Sequence, residues 1–81
     1  MISCSQYDYI EIVCMYRYPI KLTMQSDEVI EGVALDTQRN GDGEECIKIE
    51  FSGAEHLFVL DNISKLEVTV ENPHFQDISF D

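Results

Sequence analysis

The chain has 81 residues, enough for one small domain, and its apolar share of 44% is typical of a folded globular protein. Sixteen Asp and Glu residues against five Lys and Arg residues give a formal net charge of −11. Such a surface repels the phosphates of nucleic acids and attracts basic protein surfaces. We therefore expect one acidic domain over residues 1–81 that makes no direct contact with nucleic acid.

Membrane insertion and secretion are not indicated. No apolar run approaches the roughly 20 residues of a membrane-spanning helix, and the N-terminal sequence does not resemble a secretory signal. The three cysteines, Cys4, Cys14 and Cys46, lack the CxxC or CxxH spacing of metal sites. These features predict a cytoplasmic protein with reduced thiols and without a metal or cofactor.

The first predicted element is a helix over about residues 5–16. Ser5 is suited to cap it, and Asp8 three residues later would complete a capping-box-like pair. One face at helical spacing carries the apolar residues Tyr9, Ile10, Val13 and Cys14. The stretch is also rich in β-branched residues that alternate with polar ones, so a strand is the competing interpretation. We favour the helix, and Pro19 is expected to end it.

From Pro19 onward the apolar period becomes two, which predicts five short strands between about residues 19 and 72. The predicted strands cover about residues 20–25, 29–36, 47–51, 55–60 and 66–71. Gly32 indicates a bend or a close backbone approach in the second strand. One helix followed by five strands is typical of a strongly bent antiparallel sheet or small open barrel, as in the Sm-like fold.

The connections between these strands are predicted as follows. A polar loop should run from Thr37 to Glu45, with the turn sequence NGDG at its centre. The apolar residues 57–60 of the fourth strand are expected to be covered on both faces, and Asp61–Asn62 to form a break with a single helical turn. Regular structure should end at residues 72–74. The tail, residues 73–81, is expected either to pair with a sheet edge or to lie loosely on the domain.

No catalytic arrangement is indicated. Neither His56 nor His74 has a serine or cysteine on a matching turn, so a nucleophile–base pair is not predicted. The carboxylates Asp36, Asp42 and Glu44 lack the spacing of an EF-hand calcium loop. No glycine-rich loop precedes a helix, as phosphate binding would require. The sequence predicts a protein that is not an enzyme.

The second face of the predicted helix carries Tyr7, Asp8 and Glu11, and a partner is expected there. The basic residues are scattered, and the aromatic residues do not alternate with them as they do on RNA-binding surfaces. A basic, RNA-binding protein fits this face better, because Tyr7 can stack as a base would and the carboxylates can pair with Lys or Arg. The competing interpretation is a solvated helix face with a tyrosine at its border.

Residues 4–14, CSQYDYIEIVC, resemble the opening of the Rho-binding antiterminator family (Rof), whose pattern is Cys-x-x-Tyr-Asp-x-(Ile/Leu)-Glu-x-x-Cys. The resemblance continues through residues 20–24 and 29–36 and resumes at residues 60–63, so it spans essentially the whole chain. The N-terminal motif is the specific part, because alternating strands occur in many β proteins.

The resemblance implies an Sm-like fold and a protein that binds the hexameric transcription termination factor Rho. Members of the family occupy the primary RNA-binding site on the N-terminal OB-type domain of Rho, which blocks RNA loading and inhibits Rho-dependent termination. The implied contact residues are Tyr7, Asp8 and Glu11 in the helix and Asp36, Thr37, Arg39 and Asn40 after the second strand. That second segment departs from the family in length and composition, and the turn at Ser26–Asp27 lacks the expected glycine.

Two other classes of function stay open. One is an Sm-like RNA-binding module, which a gel shift with pyrimidine-rich RNA would reveal. The other is a homo-oligomeric structural module, which light scattering would reveal as a ring. The expectation from charge and resemblance together is a monomer when free, with Rho as its partner.

Overall fold

A computed structural model describes residues 4–71 and 77–80 of the chain. The helix α1 (Cys4–Met15) comes first. The strands are β1 (Pro19–Met24), β2 (Val29–Arg39), β3 (Glu45–Phe51), β4 (Ala54–Val59), β5 (Ile63–Val68) and β6 (Asp77–Ser79). A 3-10 turn, Leu60–Asn62, separates β4 from β5, where a single helical turn was predicted. The predicted class, mainly β with one N-terminal helix, is confirmed, and the described residues form six strands instead of the five predicted.

The six strands form one antiparallel sheet in the order β4-β3-β2-β1-β5-β6, and the sheet does not close. Strand β2 bends it, because residues 29–33 pair with β1 whereas residues 33–39 pair with β3. Gly32 lies where the pairing changes. A Cβ atom there would lie 2.5 Å from the carbonyl oxygen of Glu50 and 2.6 Å from Cγ2 of Ile49. Only glycine allows this approach, so the close backbone contact predicted at Gly32 is confirmed.

Helix α1 ends in a Schellman motif. The N–H of Tyr18 donates to the carbonyl of Val13 at 3.0 Å, and the N–H of Arg17 donates to that of Cys14 at 3.2 Å. Arg17 has a φ of 52°, the left-handed conformation for which this position usually uses glycine. These hydrogen bonds end the helix before the chain reaches Pro19, which opens β1.

The start of the helix differs from the prediction. The described helix begins at Cys4, so Ser5 is its second residue and not its N-cap. The predicted pairing of Ser5 with Asp8 as a capping box is therefore wrong. The choice of a helix over a strand is confirmed, because Ile10 and Val13 are fully buried against the sheet at helical spacing. Over the described residues, no helix has the length and apolar character needed to cross a bilayer.

The core lies between α1 and one face of the sheet. Its buried residues are Ile10, Val13, Cys14, Ile20, Leu22, Met24, Ile30, Ala34, Ile47, Ile49, Leu60, Ile63, Leu66 and Val68. Alternate residues of β1 supply Ile20, Leu22 and Met24, as the period of two predicted. The helix packs mainly against β2, which brings the predicted contact face beside that strand.

The pairing of β2 with β3 corrects the predicted loop between them. The prediction of a loop from Thr37 to Glu45 is wrong, because Thr37 pairs with Ile47 and Arg39 pairs with Glu45. The connection is reduced to residues 40–44. Polar residues on the outer side of a strand have the composition of a loop, and only the long-range pairing distinguishes the two.

The fourth strand is not covered on both faces as predicted. Strand β4 is at one end of the sheet, and the side chain of Leu57 is 38% exposed. Leu60 is buried, but in the 3-10 turn that follows β4. Strand β5 also begins and ends earlier than predicted, which leaves Val70 beyond it and exposed.

The end of the chain pairs with the sheet where the structure describes it. Strand β6 lies antiparallel to β5, with Ile78 opposite Leu66. The N–H of Phe80 donates to the carbonyl of Ser64 at 2.8 Å, and its ring packs against the core. Of the two alternatives for the tail, residues 77–80 adopt the paired one. The predicted end of regular structure at residues 72–74, with His74, and the start of the tail lie outside the described residues.

Candidate partner-binding site

The exposed face of α1 carries acidic residues. Asp8 and Glu11 are both exposed, and Met15 one turn further on has 71% of its surface exposed. The spacings of three and four residues place them in one stripe along the helix. Two carboxylates and an apolar side chain therefore face solvent together.

Tyr7 lies at the border of this stripe and faces β2. It is half-buried and packs against the core, and its hydroxyl lies 3.5 Å from Oγ1 of Thr37. On the other side of the helix, Nε2 of Gln6 donates to the carbonyl of Ser79 in β6 at 3.1 Å. The first turns of α1 are thus attached to two different strands, which fixes the direction of the acidic stripe.

A β-bulge in β2 shapes the surface beside the helix. Ala34 lies opposite Ile49, whereas Asp36 lies opposite Lys48, so Leu35 is an extra residue in β2. A bulge of this kind re-aims the side chains next to it. Oδ1 of Asp36 accepts a hydrogen bond from the N–H of Thr37 at 2.8 Å, which orients the carboxylate.

A surface pocket of about 380 Å³ lies between the second half of α1 and the bulged part of β2. Its lining residues are Glu11, Cys14, Met15, Arg17, Leu35, Asp36 and Thr37. The structure therefore brings together Glu11, Asp36 and Thr37, three residues that the sequence analysis singled out. Tyr7 adjoins them through its contact with Thr37, and Asp8 lies one turn earlier on the helix.

The electrostatic field of the pocket acts on Cys14. The pKa of the Cys14 thiol is raised to about 12, chiefly by burial and then by the negative charges of Asp36 and Glu11, whereas the positive charge of Arg17 lowers it. The thiol is protonated at neutral pH and is no nucleophile. Burial also raises the pKa of Cys46, with help from Glu44.

The basic residues of the sheet lie among its carboxylates. Two cross-strand ion pairs, Lys48 with Glu55 and Lys65 with Asp77, have N–O distances of 3.7 Å. Lys21 lies opposite both Glu31 and Glu67 in the strand register. Arg17 differs from these residues because it lines the pocket beside Cys14. The positive charges of the sheet are therefore locally compensated, and the acidic stripe of α1 keeps its negative charge.

The chain matches a known family over residues 1–80, described as modulator of Rho-dependent transcription termination (ROF). The chain belongs to the ROF family. Its members modulate transcription termination, so this is not a family of enzymes. No curated protein is similar enough in sequence to match this ROF-family protein.

A solved structure described as YaeO bound to magnesium, from Vibrio cholerae O395, is similar to this ROF-family chain. The two chains are 47% identical and superpose with a TM-score of 0.89. The match covers 94% of this chain and 99% of the YaeO chain. The similarity therefore extends over nearly the whole fold, including α1 and the strands that form the pocket.

Arg39 and Asn40 of the ROF-family protein lie apart from the pocket. Nη1 of Arg39 donates to the carbonyl of Gly43 at 2.7 Å, and Nη2 pairs with Oε1 of Glu45 at 3.1 Å. Oδ1 of Asn40 accepts hydrogen bonds from the N–H groups of Asp42 and Glu44. Both side chains stabilise the turn between β2 and β3, about 10 Å along the strand from Asp36. The structure thus divides the predicted contact set into a pocket and a separate turn.

Leu35 and Arg17 are pocket residues that the sequence analysis did not select. Leu35 belongs to the pocket because of the bulge, which depends on the pairing between β2 and β3. Arg17 belongs to it because this residue, which follows α1 in the left-handed conformation, lies beside the end of the helix. The position of Arg17 just before Tyr18–Pro19 was the available sign, since a helix that stops before proline often ends with a left-handed residue.

Proposed function

We propose that this ROF-family protein binds the transcription termination factor Rho through α1 and the adjoining part of β2. It occupies the primary RNA-binding site on the N-terminal OB-type domain of the Rho hexamer, so that RNA cannot load and Rho-dependent termination is inhibited. The observation that carries this proposal is the joint placement of Glu11 and Asp36 at one pocket, beside exposed Asp8.

Charge supports the choice of partner. A groove that binds single-stranded RNA combines cations with surfaces on which bases stack. The acidic stripe offers carboxylates to those cations, and the net charge of −11 speeds the encounter with a basic surface. The same charge disfavours the alternative of an Sm-like RNA-binding module, because binding RNA would require a basic patch.

Geometry supports the choice of surface. Tyr7 and Gln6 attach the start of α1 to β2 and β6, so the stripe is held on a rigid base. A surface that is ordered before binding loses less conformational entropy when the complex forms. In this proposal the free protein is a monomer that works in the bacterial cytoplasm, and Arg39 and Asn40 support the contact from the neighbouring turn.

Magnesium has no part in the proposal. The similar YaeO structure contains it, but the described residues of this chain include no group of three or more His, Cys, Asp or Glu side chains placed to hold a metal ion. The proposed contact with Rho uses only the side chains of the chain itself.

The test is a competition experiment with purified Rho and a labelled pyrimidine-rich RNA that binds its primary site. The unmodified protein should displace the RNA. Glu11→Lys should weaken binding to Rho at least tenfold, since the loss of one partner from a buried charge pair costs about 2–5 kcal/mol. Glu28→Lys, the same charge change in the β1–β2 turn far from the pocket, should change it less than twofold. Simultaneous binding of RNA and protein to Rho would overturn the proposal.

A further inference from the structure

We infer that the pocket between α1 and β2 binds one arginine side chain of the basic partner. This inference rests on the proposed function, because it assumes that the partner docks on this face. It adds the chemical group that enters the pocket and the residues that hold it. The volume of about 380 Å³ is at the lower end of the range of about 300–1,000 Å³ for ligand pockets and leaves room for one long side chain.

The walls of the pocket suit the aliphatic part of arginine. Met15 and Leu35 line it from the helix and the strand, and Cys14 lies beside them as a buried, protonated thiol. Long basic side chains bury their methylene groups on apolar surface and keep their charged ends at polar groups. Met15 and Leu35 therefore form an apolar surface for the methylene groups of the arginine. Its guanidinium group needs charged groups as well.

The carboxylates of Glu11 and Asp36 are the groups that would bind the guanidinium end of the arginine. Glu11 lines the pocket from the helix and Asp36 from the strand. Guanidinium presents five N–H donors in a rigid planar fork, which can bond acceptors on two sides at once. An ammonium group is compact and more strongly hydrated, so it gains less from two separated acceptors. The distribution of acceptors over two elements favours arginine over lysine.

The carboxylate of Asp36 is already oriented before the arginine binds. The hydrogen bond from the N–H of Thr37 to Oδ1 holds its carboxylate at 2.8 Å, and the bulge at Leu35 sets the position of the strand. A carboxylate accepts several hydrogen bonds, so Asp36 can bind guanidinium while it keeps the bond from Thr37. Little ordering is then required when the arginine enters.

Arg17 opposes the incoming arginine. It lines the same pocket, and its left-handed backbone holds it at the end of α1. Two like charges at one small site repel each other, most strongly at low ionic strength. Replacing Arg17 by alanine should therefore strengthen the binding of an external arginine about twofold, the size of a partly exposed charge interaction.

The experiment uses the full isotopically labelled chain and NMR titration. The probe is a short capped peptide with one arginine, and its control has citrulline, which keeps the shape and lacks the charge. We expect the arginine peptide to shift the amide signals of Cys14, Leu35 and Thr37 and the citrulline peptide to leave them in place. A lysine peptide should bind at least threefold more weakly than the arginine peptide.

Two matched variants locate the site. Asp36→Asn removes the charge without changing the shape and should weaken the arginine peptide at least fivefold, since charge-assisted hydrogen bonds are about twice as strong as neutral ones. Asp42→Asn, the same change in the β2–β3 turn, should leave the affinity within twofold. Equal shifts with citrulline, equal affinity for lysine, or an unchanged affinity in Asp36→Asn would each overturn the inference.

The outcome is separable from that of the proposed function. If Glu11→Lys abolishes Rho binding while the arginine peptide leaves the pocket signals unchanged, the inference fails and the proposed function stands. If the arginine peptide binds the pocket while Rho still binds RNA in the presence of the protein, the proposed function fails and the arginine site stands. Circular dichroism of each variant confirms that the fold is intact.

Discussion

The hydroxyl of Tyr7 lies 3.5 Å from Oγ1 of Thr37, a contact between residues 30 positions apart in sequence. It joins the acidic helix to the strand that carries Asp36, directly after the bulge at Leu35. Both sides of the pocket therefore belong to one packed unit. The two segments that we propose as the contact surface meet through this pair.

Removal of the Tyr7 hydroxyl should have a small effect. At 3.5 Å the hydrogen bond is long, so Tyr7→Phe should lower the free energy of unfolding by about 0.5 kcal/mol. Thr37→Val should give a similar loss, and the double variant should lose little more than either one. Urea denaturation measures all three. A loss above about 2 kcal/mol for Tyr7→Phe would indicate a much stronger contact than this geometry permits.

The left-handed conformation of Arg17 predicts a difference between two small substitutions. An L-residue in this conformation costs about 1 kcal/mol relative to glycine, which has no Cβ atom. Arg17→Gly should therefore unfold at a higher urea concentration than Arg17→Ala, with a difference of about 1 kcal/mol in free energy. Both variants lose the guanidinium group, so the comparison isolates the backbone. Equal stability of the two would contradict the Schellman ending of α1.

Two hairpin turns of the protein share one hydrogen-bond pattern and differ in their left-handed residue. The N–H of Met24 donates to the carbonyl of Glu28, as that of Asn40 does to Glu44. The residue before each acceptor has positive φ: 70° at Asp27 and 81° at Gly43. The glycine missing from the first turn is thus replaced by an aspartate in the conformation that glycine usually takes there.

This comparison predicts opposite effects in the two turns. Asp27→Gly should stabilise the protein by about 0.5 kcal/mol, because relief of the left-handed strain exceeds the added freedom of the unfolded chain. Gly43→Ala should destabilise it by about 1 kcal/mol for the same reason. Thermal unfolding of both variants provides the measurement. A destabilised Asp27→Gly would show that the Asp27 side chain contributes an interaction of its own.

The local pattern was sufficient to predict the helix and most strands. Ile10 and Val13 recur at the helical period, and Ile20, Leu22 and Met24 at a period of two, so burial on one face follows directly from their spacing. Gly32 also indicated its bend, because a glycine inside an apolar strand has few other uses.

Features that depend on pairing between distant segments could not be predicted. Thr37 and Arg39 are polar and were assigned to a loop, although β3 continues to pair with them. The apolar residues of β4 suggested burial, but the position of a strand at the end of the sheet is a property of topology. The pocket requires the bulge at Leu35 and the turn of Arg17 together, so only the folded chain contains it.

Cys14 makes the free energy of unfolding depend on pH in the alkaline range. Its pKa is raised from 9.0 to about 12 in the folded protein, mainly by burial and then by Asp36 and Glu11. A raised folded-state pKa means that the stabilising effect is complete below pH 9 and is lost as the pH rises towards 12. Cys14→Ala should therefore lose less stability than the parent protein between these pH values.

The measurement is urea denaturation of both proteins across this pH range, and the difference between the two curves isolates the contribution of Cys14. At neutral pH a thiol reagent should modify exposed Cys4 and leave Cys14 unmodified. Parallel stability curves for the two proteins would show that Cys14 does not titrate in the folded state as described.

Binding to Rho should weaken as salt concentration rises. The contacts proposed for Asp8, Glu11 and Asp36 are charge–charge contacts, and the screening length falls from about 10 Å at 0.1 M salt to about 3 Å at 1 M. We expect about a tenfold loss of affinity between these two concentrations, mostly in the association rate. Glu11→Gln should bind more weakly at low salt and show a smaller dependence on salt, because it has one charged contact fewer.

Met15→Ala serves as the control: Met15 is uncharged, so this variant should weaken binding by the same factor at every salt concentration. An affinity that does not change with salt, together with a large loss in Met15→Ala, would place the binding energy in the apolar part of the stripe and contradict the electrostatic contact.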